Sequence, residues 1–557
     1  MCKDRICLHL RNSAVLTQNR PAIYMQHNIR CRVNLHWVSN CHSNLKGDEK
    51  MKKVKLYILI LIMALGATSC LDKYPEDAIL ANQGITTVDE ADQAVIGIYS
   101  SFLSGALYSG YLTLLPDLQA DLAYAVNGYT NTYGDIWRWN ILATNSEIEA
   151  VYASLYAVIG RCNFLLDNAE KLKLQLSDDD LLDRLEQYCG EAYFARALAY
   201  SELIKLYCKA YESDEEAKNE LGVVLRTNYY SDEPIQRASL YDSYQQVLMD
   251  LDHAAEILTL GEDYDPSVDG YIYNTTYFNE YTAYALRARV ALYMKKYDEA
   301  IKYATKVIDS DHFFLSNANQ MYNSNYSYYQ YMWTSDNSTE VIWKIGFTTT
   351  SYGGALGRVF FNYDYSSLKP DYVPAQWVLN LYGETDLRYN SFFQTYTTGH
   401  THGLTWPLLT KYWGNEDLFN QAQLLHVSMP KVFRLSEQYL IRAEAYVQKG
   451  ELNKAAKDIT ALRSARYASY GGGTSMNEEN AMTIIEEERV KELYMEGFRL
   501  TDLKRWHKGF ERTPQEQSLE NGSSLVVEKD NPLFVWPIPQ HEIESPGANI
   551  EPNESNK

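Results

Sequence analysis

The chain runs to 557 residues with a formal net charge of −21, and 46% of its residues are hydrophobic, so a large core is affordable and length alone allows two or three domains. So acidic a chain is a poor match for nucleic acid, whose phosphates call for basic surface. Its 47 Tyr and 10 Trp against 16 Phe favour rings that carry a polar tip, which points either to a wet recognition surface or to Tyr-rich helix packing.

In chain order, residues 1–50 come first and lack both helical and strand periodicity. They hold Cys2, Cys7, Cys31 and Cys41 without any CxxC or HxxxH spacing, which argues against a zinc cluster. We read them as translated upstream sequence and Met51 as the start. The next stretch, MKKVKLYILILIMALGATSC (51–70), opens on Lys52, Lys53 and Lys55 and continues with the apolar run Leu56–Ala67. That run falls short of the roughly 20 residues that span a bilayer and suits the core of a signal peptide over 51–69. Ala67, Thr68 and Ser69 lead directly into Cys70, a pattern that resembles a bacterial lipobox. Lipid on Cys70 followed by a tether to residue 86 is the expected arrangement; an ordinary signal with an incidental cysteine is the alternative. Residues 1–69 hold 11 Lys and Arg against 3 Asp and Glu, so the chain from Cys70 onward carries −29. The three later thiols, Cys162, Cys189 and Cys208, are expected to be buried hydrophobes.

From Thr87 to about residue 310 the apolar spacing is helical, with helices expected over Val88–Phe102, Glu147–Leu172 and CGEAYFARALAYSELIKLY (189–207). Two segments then resemble each other: YALRARVALYMKKYDEAIKYATKVI (284–308) and YLIRAEAYVQKGELNKAAKDITALR (439–463). Lys295 to Ala300 aligns with Gly450 to Ala455, each pairing an Ala-rich helix, a tight turn and a second helix. This is tetratricopeptide-like logic, although generic helix packing would leave similar alanine stripes. The interval between the two is no multiple of the ~34-residue repeat, so the array is irregular and interrupted.

The interruption spans residues 311–430. Its stretch MYNSNYSYYQYMWTSDNSTE (321–340) sets aromatics among Asn and Ser, and DLAYAVNGYTNTYGDIWRWN (121–140) is a shorter counterpart. Long irregular segments inside a folded body are usually functional or disordered, and high aromatic content argues against disorder. We expect the two non-helical stretches to meet as an aromatic platform of Tyr129, Tyr133, Trp137 and Trp139 with Tyr326, Tyr328, Tyr329, Tyr331 and Trp333. Asp121, Asn127, Asn131, Asn323 and Asn325 would hydrogen-bond ligand hydroxyls beside it. The rival reading buries some of these rings as core, and alternation does not choose between them.

Near the C-terminus comes IIEEERVKELYMEGFRLTDLKRW (484–506). Glu488, Glu492 and Glu496 fall four apart, with Glu496–Arg499 and Arg499–Asp502 at ion-pair spacing on a continuous helix. A structural charge network is the expected role rather than acid–base chemistry. This run resembles the signature helix of the SusD/RagB family of surface lipoproteins from Bacteroidetes-type bacteria, through Glu488, Arg489, Glu492, Leu493, Glu496, Gly497, Arg499, Asp502, Leu503, Arg505 and Trp506. The segments FRLSEQYLIRAEAYVQKG (433–450), CGEAYFARALAYSELIKLY and WPIPQHEI within 532–553 are similar to that family as well. The ending SPGANIEPN departs from the family's more usual form.

The resemblance implies a mainly α fold: irregular tetratricopeptide-like repeats with long aromatic-rich insertions and few short strands. It divides the exported chain into a repeat-rich region (87–310), a ligand-face insertion (311–430) and a C-terminal repeat and signature region (431–557). It further implies a lipid-anchored outer-membrane protein facing the cell exterior. Such a protein binds oligosaccharides, or in some members peptides, for a SusC-like TonB-dependent transporter, with no cofactor, metal or catalytic residue. A surface glycan-degrading enzyme is the alternative, and it would need two carboxylates across a cleft. No HExxH, GxSxG, P-loop or GxGxxG motif is present. Gly399-His400-Thr401-His402-Gly403 offers two metal ligands without a third and reads as a polar loop.

Overall fold

The computed structural model describes residues 84–126, 131–230, 234–259, 276–364, 367–400, 403–512 and 525–557. The signal, Cys70, Asn127, Tyr129 and His402 lie outside them. Among the described residues helices dominate and the strands form two-stranded pairs only, so the mainly α expectation holds.

Val88–Ser101 starts the described fold. Its N-cap Thr87 accepts from the Glu90 amide while Glu90 reaches back, a reciprocal capping box that satisfies donors otherwise orphaned at a helix start. Ser146–Lys173 follows, capped by Asn145. Asp179–Tyr207 begins ten residues before the expected CGEAYF stretch, because Asp178 caps the amides of Asp180 and Leu181. This helix packs on Ser146–Lys173 and on Leu240–Ile257. Gly190 is required there: a Cβ would meet Ile257 Cγ2 at 2.7 Å. Cys162, Cys189 and Cys208 are buried free thiols in these layers.

The two aligned repeat segments share their turn chemistry. Glu280–Tyr293 and Tyr297–Ile308 are joined through Lys295 at φ 57°, and Leu435–Gln448 and Leu452–Arg466 through Gly450 at φ 73°. In both, the residue after the left-handed one donates its amide back across the helix end: Lys296 to Ala291 O and Glu451 to Tyr446 O, each at 2.8 Å. The pairs are neighbours in space. Ala288, Ala291, Ala300 and Ala304 of the first close against Ile441 and Ala445 of the second, where small side chains let helices approach.

The insertion between them is not structureless. It contains Tyr328–Thr334 and several shorter helices. Strand Val341–Lys344 pairs with Lys431–Arg434, Tyr372–Pro374 with Ala123–Ala125, and Phe393–Thr397 with Thr405–Leu409. A hydrophobic core within it draws Tyr124 and Trp137 from the first aromatic stretch, Tyr329 and Trp333 from the second, and Tyr494 from the signature run.

That run is not the single continuous helix expected of it. Ala481–Glu492 stops, and Arg499–Arg505 starts a new axis after Gly497 at φ 86°. A Cβ on Gly497 would lie 2.4 Å from Leu112 O, so only glycine fits. Asp117, fully buried, fixes the turn by accepting from the amides of Gly497 at 3.0 Å and Arg499 at 2.8 Å.

The break re-sorts the charges. Arg499 does not pair with Glu496 or Asp502; it binds Asp121 and Glu486, each at 2.8 Å. Asp502 binds Arg489 at 2.7 Å and Arg505 at 2.9 Å. Glu496 binds Arg434 at 2.7 Å and Lys411 at 2.6 Å. Around Glu492 the network closes: Arg434 and Arg466 at 2.9 Å and Arg388 at 3.2 Å, with Glu340 shared by Arg434 at 2.7 Å and Arg466 at 2.8 Å. A structural charge network is what these positions form.

Candidate functional site

The structure does bring the two aromatic stretches together, but in the core. Trp137 is fully buried with its indole N–H donating to Ala123 O, and Trp139 donates to Gln119 O. Tyr329 is buried with its hydroxyl on Glu492, and Trp333 is buried beneath Lys411 and Lys431. Asp121 is spent on Arg499. These five positions therefore offer nothing to a ligand, which corrects the expected platform. In the second stretch a helix over Tyr328–Thr334, capped by Ser327 and Gln330, sets which rings share a face, and packing against distant residues sets which face is inside. Helical spacing turns Tyr329, Met332 and Trp333 inward together and leaves Tyr328 and Tyr331 on the outer side.

Seven of the expected residues keep an open or half-open surface. Tyr328 is exposed, and Tyr326 and Tyr331 are half-buried. Asn323 and Asn325 are exposed, with Asn323 Oδ1 accepting from the amides of Asn325 and Tyr326 to shape the loop. Tyr322, not singled out from the sequence, stacks on Tyr331 with centroids 3.8 Å apart and meets Tyr328 edge-on at 5.5 Å. Tyr133 is half-buried against Tyr111, and Asn131 is held by the carbonyl of Asp371.

A second aromatic group, missed from the sequence, lies on the later part of the insertion. Trp413 is 44% exposed and Tyr363 54% exposed. The Tyr396 ring lies nearly parallel to the Trp413 indole, 9° between planes at 6.2 Å. Burial, and then the neighbouring Tyr363 hydroxyl, push the Tyr396 hydroxyl up. The two groups are joined at one edge: the Tyr326 hydroxyl donates to Glu416, three residues beyond Trp413. That carboxylate pushes the hydroxyl up to about 12. The signal for this group is weak, since KYWGN carries no periodicity. Only the Gly414 beside Trp413, which adopts φ 124°, marks a turn there.

Exposed rings, each backed by a half-buried near-parallel one and set beside hydroxyl and amide groups, suit a flat ligand with an apolar face and a hydrogen-bonding rim. Among the described residues no group of three or more His, Cys, Asp and Glu is placed to hold a metal ion, and His400 instead contacts Pro370 O at 2.9 Å. No described helix is long and apolar enough to cross a membrane.

Comparison with known proteins agrees with the fold. A model of the SusD family matches residues 262–553, and one described as starch-binding associating with outer membrane matches residues 92–292. SusD-like protein P25 of Formosa agariphila is 21% identical over 513 residues, covering 82% of this chain and 90% of that one. SusD-like protein P38 of the same organism is 23% identical over 514 residues, covering 83% and 93%. Among solved structures, a SusD superfamily protein of Bacteroides thetaiotaomicron aligns with a TM-score of 0.68 at 24% identity, over 84% of this chain and 99% of that chain. A SusD-like carbohydrate binding protein of Bacteroides vulgatus aligns with a TM-score of 0.64 at 17% identity, over 84% and 98%.

Proposed function

Because this chain belongs to the SusD family, we propose that it is a lipid-anchored outer-membrane binding protein that holds a glycan at the cell surface for a SusC-like TonB-dependent transporter. The observation that carries the ligand class is the exposed Trp413, with the half-buried Tyr396 ring near-parallel to it and the exposed Tyr363 beside them. Sugar rings present C–H faces that stack on such surfaces, and Tyr322, Tyr326, Tyr328 and Tyr331 extend the aromatic area beyond Glu416. Asn323 and Asn325 supply amides at its edge. The reading assigns ligand contact to residues 311–430 and support to the repeats on either side.

Trp413→Ala should weaken binding of the best ligand from a glycan array, with maltoheptaose as first probe, by roughly three- to tenfold. An aromatic contact contributes about 0.5–1.5 kcal/mol beyond area burial, and a decade of affinity is about 1.4 kcal/mol. Retained melting temperature with lost affinity supports the reading. An unchanged affinity, release of shortened sugars in the same assay, or selection of peptides over glycans would each replace it.

The anchor rests on the lipobox-like approach to Cys70. Mass spectrometry of membrane-extracted protein should find a chain beginning at a diacylglyceryl, N-acylated Cys70. Several acyl chains are expected because one alone holds marginally, at about 0.8 kcal/mol per buried CH₂. An unmodified Cys70 in that extract would remove the anchor.

A further inference from the structure

Trp413 stands out from the surface, so something must hold its indole in one orientation. The segment 426–427 does this from below. His426 Nδ1 lies 2.9 Å from the Trp413 carbonyl oxygen, which can only accept, so the proton sits on Nδ1. The imidazole stacks on the buried Phe361 ring at 5.1 Å and 21°. Both rings meet the indole edge-on, Phe361 at 4.7 Å and 76°, His426 at 5.6 Å and 83°. The chain on either side is fixed as well. Asn415 N donates to Val427 O at 2.7 Å, Gly357 N to His426 O at 3.3 Å, and Asn415 Nδ2 to the buried Asp336 at 2.8 Å.

Two features are costly unless this arrangement is used. His426 holds φ 61°, a left-handed conformation uncommon outside glycine. Its other ring nitrogen, Nε2, is buried without a partner. Gly414, between the clamp and the indole, permits the approach: a Cβ there would lie 3.0 Å from His426 N.

We propose that His426 is a positioning residue, whose δ-protonated imidazole and its stack on Phe361 clamp the Trp413 backbone and present the indole face outward for the ligand. The proposal rests on the reading of Trp413 as a ligand-contacting ring, but its main readout does not need a ligand. Asn places an amide donor where Nδ1 sits and tolerates the left-handed backbone, whereas Gln moves its donor to the Nε2 position. In protein labelled with ¹⁵N on tryptophan, the Trp413 indole resonance is identified by its loss in Trp413→Phe. Both variants remove the imidazole and its stack on Phe361, so both move the resonance; His426→Gln, which also displaces the donor, should broaden it and weaken maltoheptaose binding several-fold, while His426→Asn keeps a sharp line and near-parent affinity. If the two variants match in line width and affinity, or if both fail to fold, the positioning role is refuted. If the resonance responds as described but Trp413→Ala binds sugar normally, the clamp stands and the ligand reading fails.

Discussion

Arg466→Met should destabilise the protein by about 3–5 kcal/mol, the cost of leaving buried carboxylates short of a partner. The guanidinium is fully buried, spans Glu340 and Glu492, donates to Ser316 O at 2.6 Å, and lies over the Tyr329 ring at 4.1 Å. Its removal leaves Glu340 and Glu492 each short of a buried cationic partner. Chemical denaturation measures the loss; a change under about 1 kcal/mol would mean that Arg388 and Arg434 carry the charges alone. The network also sets the acid limit. Against the cost of burial, Arg388, Lys491 and Arg463 hold the Glu488 carboxyl down to about 2, and Arg466 and Arg434 hold Glu492 well below its ordinary range. Both pKa values are depressed on folding, so their stabilisation is present above the unfolded carboxylate value near 4.5 and is lost as pH falls towards 2. Asp117 acts in the opposite sense. Burial raises its carboxyl to about 7, so its contribution declines as pH rises towards neutrality. Stability from Glu488 and Glu492 should therefore fall as pH drops below about 4.5, and that from Asp117 should fall as pH rises from about 3.8 to about 7.

Trp137→Ala should cost a similar amount, about 3–5 kcal/mol, by opening a cavity in the core rather than by losing a ligand contact. Its indole is fully buried, meets Tyr124 edge-on at 6.0 Å and carries the Arg512 guanidinium 4.3 Å from the ring centroid. Early melting with normal affinity in the folded protein is the expected pair of results. Normal melting with lost binding would return Trp137 to the ligand face and overturn the burial described here.

The contrast between Trp137 and Trp413 marks what can be read from a chain of letters. Helices, their pairing through Lys295 and Gly450, and the signature motif follow from local spacing and turn chemistry, which are written in neighbouring residues. The sorting of tryptophans does not. Trp137 and Trp333 look like surface rings because Asn, Ser and Gly surround them, yet long-range packing against Arg512, Lys411 and Lys431 takes them inside. The charge pattern misled for a related reason. Spacing along 484–506 assumes one axis, and the turn at Gly497 depends on Leu112 and Asp117, nearly four hundred residues away. Trp413 left no mark because its exposure depends on Phe361 and His426, neither of which precedes or follows it within ten residues.

The buried charges also tie the insertion to the scaffold. Glu340, Asp386, Arg388 and Lys411 come from residues 311–430, and their partners Arg434, Arg466, Glu488, Glu492 and Glu496 from the C-terminal region. Closing a loop costs only slightly more as it lengthens, so entropy alone would let such an insertion be exchanged freely for another. The ion network removes that freedom. A graft cut at the two ends of the insertion would strand buried carboxylates and buried cations on both sides. Exchange of the proposed ligand face should therefore succeed only in segments such as 321–328 and 396–416 outside Lys411, which carry exposed rings and leave the other shared charges in place.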